Sequence, residues 1–289
     1  MNRRTLLVSL AAAIPAFSRA QPMRAAPPVV STGDAASLAM NPDFPLPAVQ
    51  VTIGNSRPLW FGIDTGAAGH GRINPDTAAE LGLQVVGEVR AGDPSGKNPQ
   101  TRRLFEAPTL MVGGITFTAP DLAELTLMPQ VGPKMDGILG LDLFPGFVVS
   151  FDRVKGEVDI VRGELPAADN VSIFQSPPGH ALQVPVMIGG QTLIADIDTG
   201  HMKDPLMVPD ITGLPVTGAP RKVGTARTAS QTFDIQAVDL GAPVMLGSVD
   251  LSVTSVTFPS PLPMANLGWE AFQGHVLSVD ALNRRVRIT

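Results

Sequence analysis

The tripeptide Asp-Thr-Gly stands twice in this 289-residue chain, at 64–66 and again at 198–200, each time after an isoleucine. A second signature follows each copy. Leu139-Gly140, Phe144, Gly146, Val148, Ser150 and Asp152 recur as Leu267-Gly268, Phe272, Gly274, Val276, Ser278 and Asp280, each lying 128 positions after its counterpart. The pattern reads as one folding unit used twice in tandem, with one carboxylate in a glycine turn per unit. Glycine after Asp-Thr lets the backbone turn tightly and leaves the carboxylate uncovered. Two such carboxylates brought face to face make an acid–base pair.

The local pattern around each aspartate is that of a β-hairpin. Val49 to Ile53 alternates apolar and polar residues, turns at Gly54-Asn55 and returns through Leu59 to Ile63. Leu182 to Ile188 turns at Gly189-Gly190 and returns through Leu193 to Ile197. Alternation with period two around a tight glycine turn predicts paired strands, so each aspartate closes the second strand of its hairpin. Leu110 to Phe117 and Val244 to Val253 read as two further hairpins, and Pro75 to Leu81 as a short helix. Apolar strands are expected at 147–151 with 157–161, and at 276–279 with 285–288. The 29 glycines and 28 prolines are spread along the chain, which fits many short strands joined by turns. The expected fold class is all-β.

The organisation predicted is an export signal over 1–20, an extended and poorly ordered entry segment over 21–44, a first lobe over 45–162, a linker or crossing strand over 163–179, and a second lobe over 180–289. Arg3 and Arg4, an apolar run from Leu6 to Phe17 and small residues before a cut at Ala20 compose the signal. Asn2-Arg3-Arg4-Thr5-Leu6-Leu7 resembles a twin-arginine leader, and a general secretory signal fits nearly as well. A periplasmic or secreted protein is expected, with an uncleaved N-terminal anchor as the alternative. A cut after Ala20 leaves 18 basic and 26 acidic residues, a balance that argues against nucleic acid as a partner. There is no cysteine, and the four histidines occur singly without metal-ligand spacing, so neither metal nor cofactor is expected.

When two carboxylates share a site at about 3 Å, both cannot ionise at once and the pair holds one proton. One member then acts as base toward a bound water while the other, protonated, polarises a carbonyl. With these motifs the chain resembles the aspartic proteases of the pepsin and retropepsin type, and more closely the compact retropepsin-like aspartyl protease domains of bacteria. The resemblance rests on the apolar residues before Asp64-Thr65-Gly66-Ala67, on Glu80 to Leu83, and on Asp136-Gly137-Ile138-Leu139-Gly140. It covers 45–162 strongly and 180–289 less strongly. It implies two closed β-rich lobes facing a central cleft, and hydrolysis of peptide bonds without metal or covalent intermediate. By carry-over Asp64 and Asp198 are the catalytic dyad, supported by Thr65, Gly66, Thr199 and Gly200. Ile138, Leu139 and Gly140, with Leu267 and Gly268, pack beneath the two loops. The expected substrate is a peptide or protein, taken by a monomer.

The second copy departs from this pattern. His201 replaces a small residue, and an imidazolium there is expected to favour the ionised dyad. Asn266 stands where the first apolar residue of the packing motif belongs. The chain has no tyrosine, so the flap tyrosine of pepsin-like enzymes is missing; Val89 to Arg103 reads either as a flap or as a long surface turn. Asp196 reads as a supporting acid or a surface residue, Asp142 and Glu270 as backbone caps, Trp60 and Trp269 as packing rather than substrate-binding residues, and His70 as a solvated or core-edge residue rather than one touching the site. These departures keep alive a rival reading, a non-catalytic peptide-binding module using the same cleft. A third reading pairs each lobe with its counterpart in another molecule.

Overall fold

The computed structural model describes residues 29–91, 100–125, 135–179, 181–227, 232–260 and 263–289. The export signal and the tip of the 89–103 loop lie outside the described residues. The chain is all-β, with curled sheets consistent with an acid-protease type of fold.

Among the described residues the strands form three sheets. A ten-stranded sheet draws its strands from residues 30–140, and a nine-stranded sheet draws its strands from 183–268. A six-stranded sheet is built from both halves: its central strands Phe147–Asp152 and Val276–Asp280 pair antiparallel. Their register is centred on Ser150 opposite Ser278, whose hydroxyls meet at 2.8 Å. Val148 faces Asp280 and Asp152 faces Val276, so the two copies of the second signature pair with each other about that point. Asp152 and Asp280 close the turns after these strands. Asp152 accepts the N–H groups of Val154 and Lys155, and Asp280 accepts those of Asn283 and Leu165.

Both predicted hairpins before the aspartates form. Ala48–Ile53 pairs with Leu59–Asp64, and Gln183–Ile188 with Gln191–Asp198 across Gly189 and Gly190, both at positive φ. Their alternating residues, among them Val49, Val51, Ile53, Val184, Val186 and Ile188, are buried in a core cluster that runs through both halves. The hairpins at 109–118 and 244–250 form as well. The helix is Pro75–Glu80: Asn74 caps it by accepting the Asp76 N–H at 3.0 Å, proline takes the first turn, and Leu81 is the C-cap.

Two segments carry more structure than their composition announces. The entry segment is not wholly unpaired: Val30–Thr32 joins the ten-stranded sheet and Ala35–Ala39 the six-stranded one, with Gly33 at φ 91° between them. Within 163–179 a short strand forms. Asp169 accepts three successive N–H groups at 2.8 Å, and Ile173–Gln175 then pairs with Arg285–Arg287 while Phe174 enters the core.

Candidate active site

The site is built twice by the same local device. Strand Gly137–Gly140 runs parallel to Leu59–Asp64 with Gly140 opposite Asp64, and Ala265–Gly268 runs parallel to Gln191–Asp198 with Gly268 opposite Asp198. The loop after each aspartate folds back over the glycine of the neighbouring strand. A β-carbon on Gly140 would stand 2.3 Å from the Gly69 carbonyl oxygen and 2.8 Å from that of Ala67. On Gly268 it would meet the carbonyl oxygens of Asp204 at 2.4 Å and His201 at 2.8 Å. No side chain fits at either place, which is why both signatures carry glycine there. Leu139 and Leu267, both fully buried, anchor the strands from below, whereas Ile138 is partly buried. The first loop is further held by Asp142, which accepts the Gly69 N–H at 2.8 Å.

Across the junction the two loops clasp each other. The Thr65 hydroxyl donates to the Ile197 carbonyl at 2.7 Å and accepts the Thr199 N–H at 3.0 Å. The Thr199 hydroxyl donates to the Ile63 carbonyl at 2.7 Å and accepts the Thr65 N–H at 3.0 Å. Both threonines are buried, so these four bonds are shielded from water. The clasp brings each aspartate against the other loop's glycine: a β-carbon on Gly66 would lie 2.8 Å from Asp198 Oδ1, and one on Gly200 2.5 Å from Asp64 Cγ. The predicted dyad residues are thus face to face, each retaining partial exposure to solvent.

The two carboxylates are not held alike. Asp64 Oδ1 accepts the Gly66 N–H at 2.8 Å. Burial, then the neighbouring Asp198 charge, push the Asp64 carboxyl up to about 7, against the opposing pull of the Gly66 N–H and the Arg72 guanidinium. Asp198 Oδ1 accepts the N–H groups of Gly200 at 3.0 Å and His201 at 3.1 Å, and its Oδ2 accepts Asn266 Nδ2 at 2.9 Å. Asn266 is buried, and its Oδ1 has no hydrogen-bond partner among the described residues. Such an arrangement can hold one shared proton and orient a water between base and acid.

Several neighbours differ from expectation. The imidazole of His201 does not address the dyad: its ring packs against Gly268 and its Nε2 lies 3.7 Å from Asp204 Oδ2. Only the His201 backbone N–H reaches Asp198. Glu270 does not cap backbone as Asp142 does; it pairs with Arg153, at 3.4 Å. His70 is fully inside, its Nδ1 accepting the Asp121 N–H at 3.1 Å. Trp60 packs on Phe44, and Trp269 is buried under Arg153 and beside Phe151, as packing residues should be. Asp196 is half-buried and accepts Gln183 Nε2 at 3.0 Å; burial, and then Asp198, raise its carboxyl above the usual range. Arg72, which acts on Asp64 by charge, left no mark in the sequence pattern. The donor role of Asn266 did leave one, a polar residue at the place Ile138 holds in the first copy.

Residues 49–143 match a family model described as aspartyl protease, which supports an aspartic protease family. The matched stretch runs from the first hairpin past Gly140 and contains Asp64; Asp198 lies beyond it. No curated protein matches the chain.

Proposed function

We propose that the protein is an aspartic endopeptidase in which Asp64 and Asp198 form one intramolecular dyad between two related lobes. The observation that carries this reading is the reciprocal clasp of Thr65 and Thr199, which sets the two carboxyls against one another. A water lying on the dyad loses a proton to the ionised member as it attacks the peptide carbonyl. The protonated member hydrogen-bonds the carbonyl oxygen, and the proton returned to the amine releases the second product. An extended polypeptide is the natural substrate for a cleft between two sheets, because its backbone can bond to strand edges. Both half-sites lie in one chain, so a monomer is sufficient, and the leader read at the N-terminus supports a site of action outside the cytoplasm.

The test is cleavage of carboxymethylated lactalbumin, an unfolded protein, from pH 3 to 8 by the full chain and by Asp64→Asn and Asp198→Asn. Activity lost in both variants, with circular dichroism unchanged, supports one dyad. Activity that survives either substitution removes it. A chain that binds the substrate without cutting it would instead be the peptide-binding module.

A further inference from the structure

The two halves of the dyad differ in a side chain that lies directly before the repeated Leu-Gly pair. Opposite Gly62 in the first half stands Ile138, whose hydrocarbon packs toward Phe44, Leu46 and Met135. Opposite Asp196 in the second half stands Asn266, one residue before the matched Leu267-Gly268. Its Nδ2 faces Asp198 Oδ2 at 2.9 Å, a donor that suits the ionised carboxylate, which only accepts. That leaves its Oδ1 buried and unpartnered among the described residues, a state that an isoleucine in the same place would avoid. Asp198 therefore collects three donors and Asp64 one.

Resting on the dyad reading above, we infer that Asn266 is a positioning residue that fixes the roles within the pair: Asp198 carries the negative charge and is the base toward water, and Asp64 carries the proton and is the acid toward the carbonyl. A donor aimed at one carboxylate favours its charged form. Asp64 has no equivalent, and the apolar neighbours of Ile138 supply none. The other charged groups around the pair do not reproduce this bias. Arg72, on Gly71–Ile73, draws charge the other way, toward Asp64. Asp196, on the Asp198 strand, repels charge from Asp198. His201 and Asp204, on the loop after Asp198, face each other, and Asp142 is committed to the Gly69 N–H. Without Asn266, these charges draw toward Asp64, and Asp198 keeps only the N–H groups of Gly200 and His201 against the Gly66 N–H at Asp64.

The test uses the full chain with 13C-carboxyl-labelled aspartate, titrated by NMR, alongside the pH dependence of kcat/KM on carboxymethylated lactalbumin. In the unaltered chain the lower of the two coupled titrations should appear at the Asp198 carboxyl. Asn266→Leu, which keeps shape and removes the donor, should move the first ionisation of the pair upward by about one pH unit. The acid limb of kcat/KM should follow it, with activity near pH 4 down by about tenfold. Should Asn266→Leu not fold, Ile138→Asn carries the converse test, moving the lower titration toward Asp64. Unmoved carboxyl titrations and an unmoved acid limb would overturn the inference. Cleavage that persists in Asp64→Asn would remove the protease dyad instead, and the NMR titration would still report on Asn266.

Discussion

Thr65 and Thr199 each accept the other's backbone N–H at 3.0 Å while donating to a carbonyl in the opposite half. Removing either hydroxyl strands a buried N–H and a buried carbonyl at once. Thr65→Val or Thr199→Val should therefore lower stability by about 2–4 kcal/mol, measured by urea unfolding. Thr65→Ser and Thr199→Ser should lose much less, since the hydroxyl remains.

The glycines beneath the loops make a separate prediction. Gly140→Ala or Gly268→Ala forces the loop carbonyls of Gly69 or Asp204 away by the width of a methyl group. Displacing a catalytic group by about 1 Å costs on the order of 10²-fold in rate, and overpacking costs about 1–3 kcal/mol in stability. Gly87→Ala is the contrast, because a β-carbon there meets nothing within 4 Å; its stability should stay within about 0.5 kcal/mol. Matched turnover and melting measurements on the three variants check both parts.

The pH dependence follows from Asp64. Its carboxyl, raised from an ordinary 3.8 to about 7, keeps its proton in the folded protein where the unfolded chain has already lost it. Between those values the folded state binds more protons than the unfolded state, so stability falls as pH rises through this window. Cleavage should fall above about pH 7 as the shared proton leaves. Asp64→Asn removes the buried charge and should raise stability at pH 8, by on the order of 2 kcal/mol, while abolishing activity. Urea titrations at pH 4, 6 and 8 give the sign directly.

His201 offers a control on these electrostatics. Its ring lies toward Asp204 and Gly268, and its contribution to Asp198 is a backbone N–H that any residue keeps. His201→Asn should leave both limbs of the pH–rate profile within about half a unit of their places. A larger shift would return the imidazole to the dyad.

Much of this architecture can be read from local pattern. The hairpins at Val49 to Ile63 and Leu182 to Ile197 announce themselves because alternating burial and a glycine turn are properties of neighbouring residues. The short helix does so through Asn74 and Pro75. What escapes is set by pairing between distant strands. Asn266 meets Asp198 because its strand runs parallel to Gln191–Asp198 in one register, and Arg72 reaches Asp64 through strand Gly71–Ile73. The orientation of the His201 ring depends on Gly268 and Asp204, which nothing adjacent to His201 reveals. Likewise the entry segment at 30–39 reads as poorly ordered and 163–179 as a linker or crossing strand, since the hydrogen bonds that order them come from strands elsewhere.

Those two stretches form the outer strands of the sheet that zips the halves together, Ala35–Ala39 on one side and Ile173–Gln175 on the other. Processing that stops before Val30 leaves this sheet complete. Trimming past Ala39 strips the cover from Glu157–Arg162, whose backbone would then offer an open ladder to any passing chain. The failure of an over-trimmed protein should therefore show first as self-association in the test tube, before any loss at the distant dyad. The N-terminal strand is a safeguard of solubility as much as a piece of the fold.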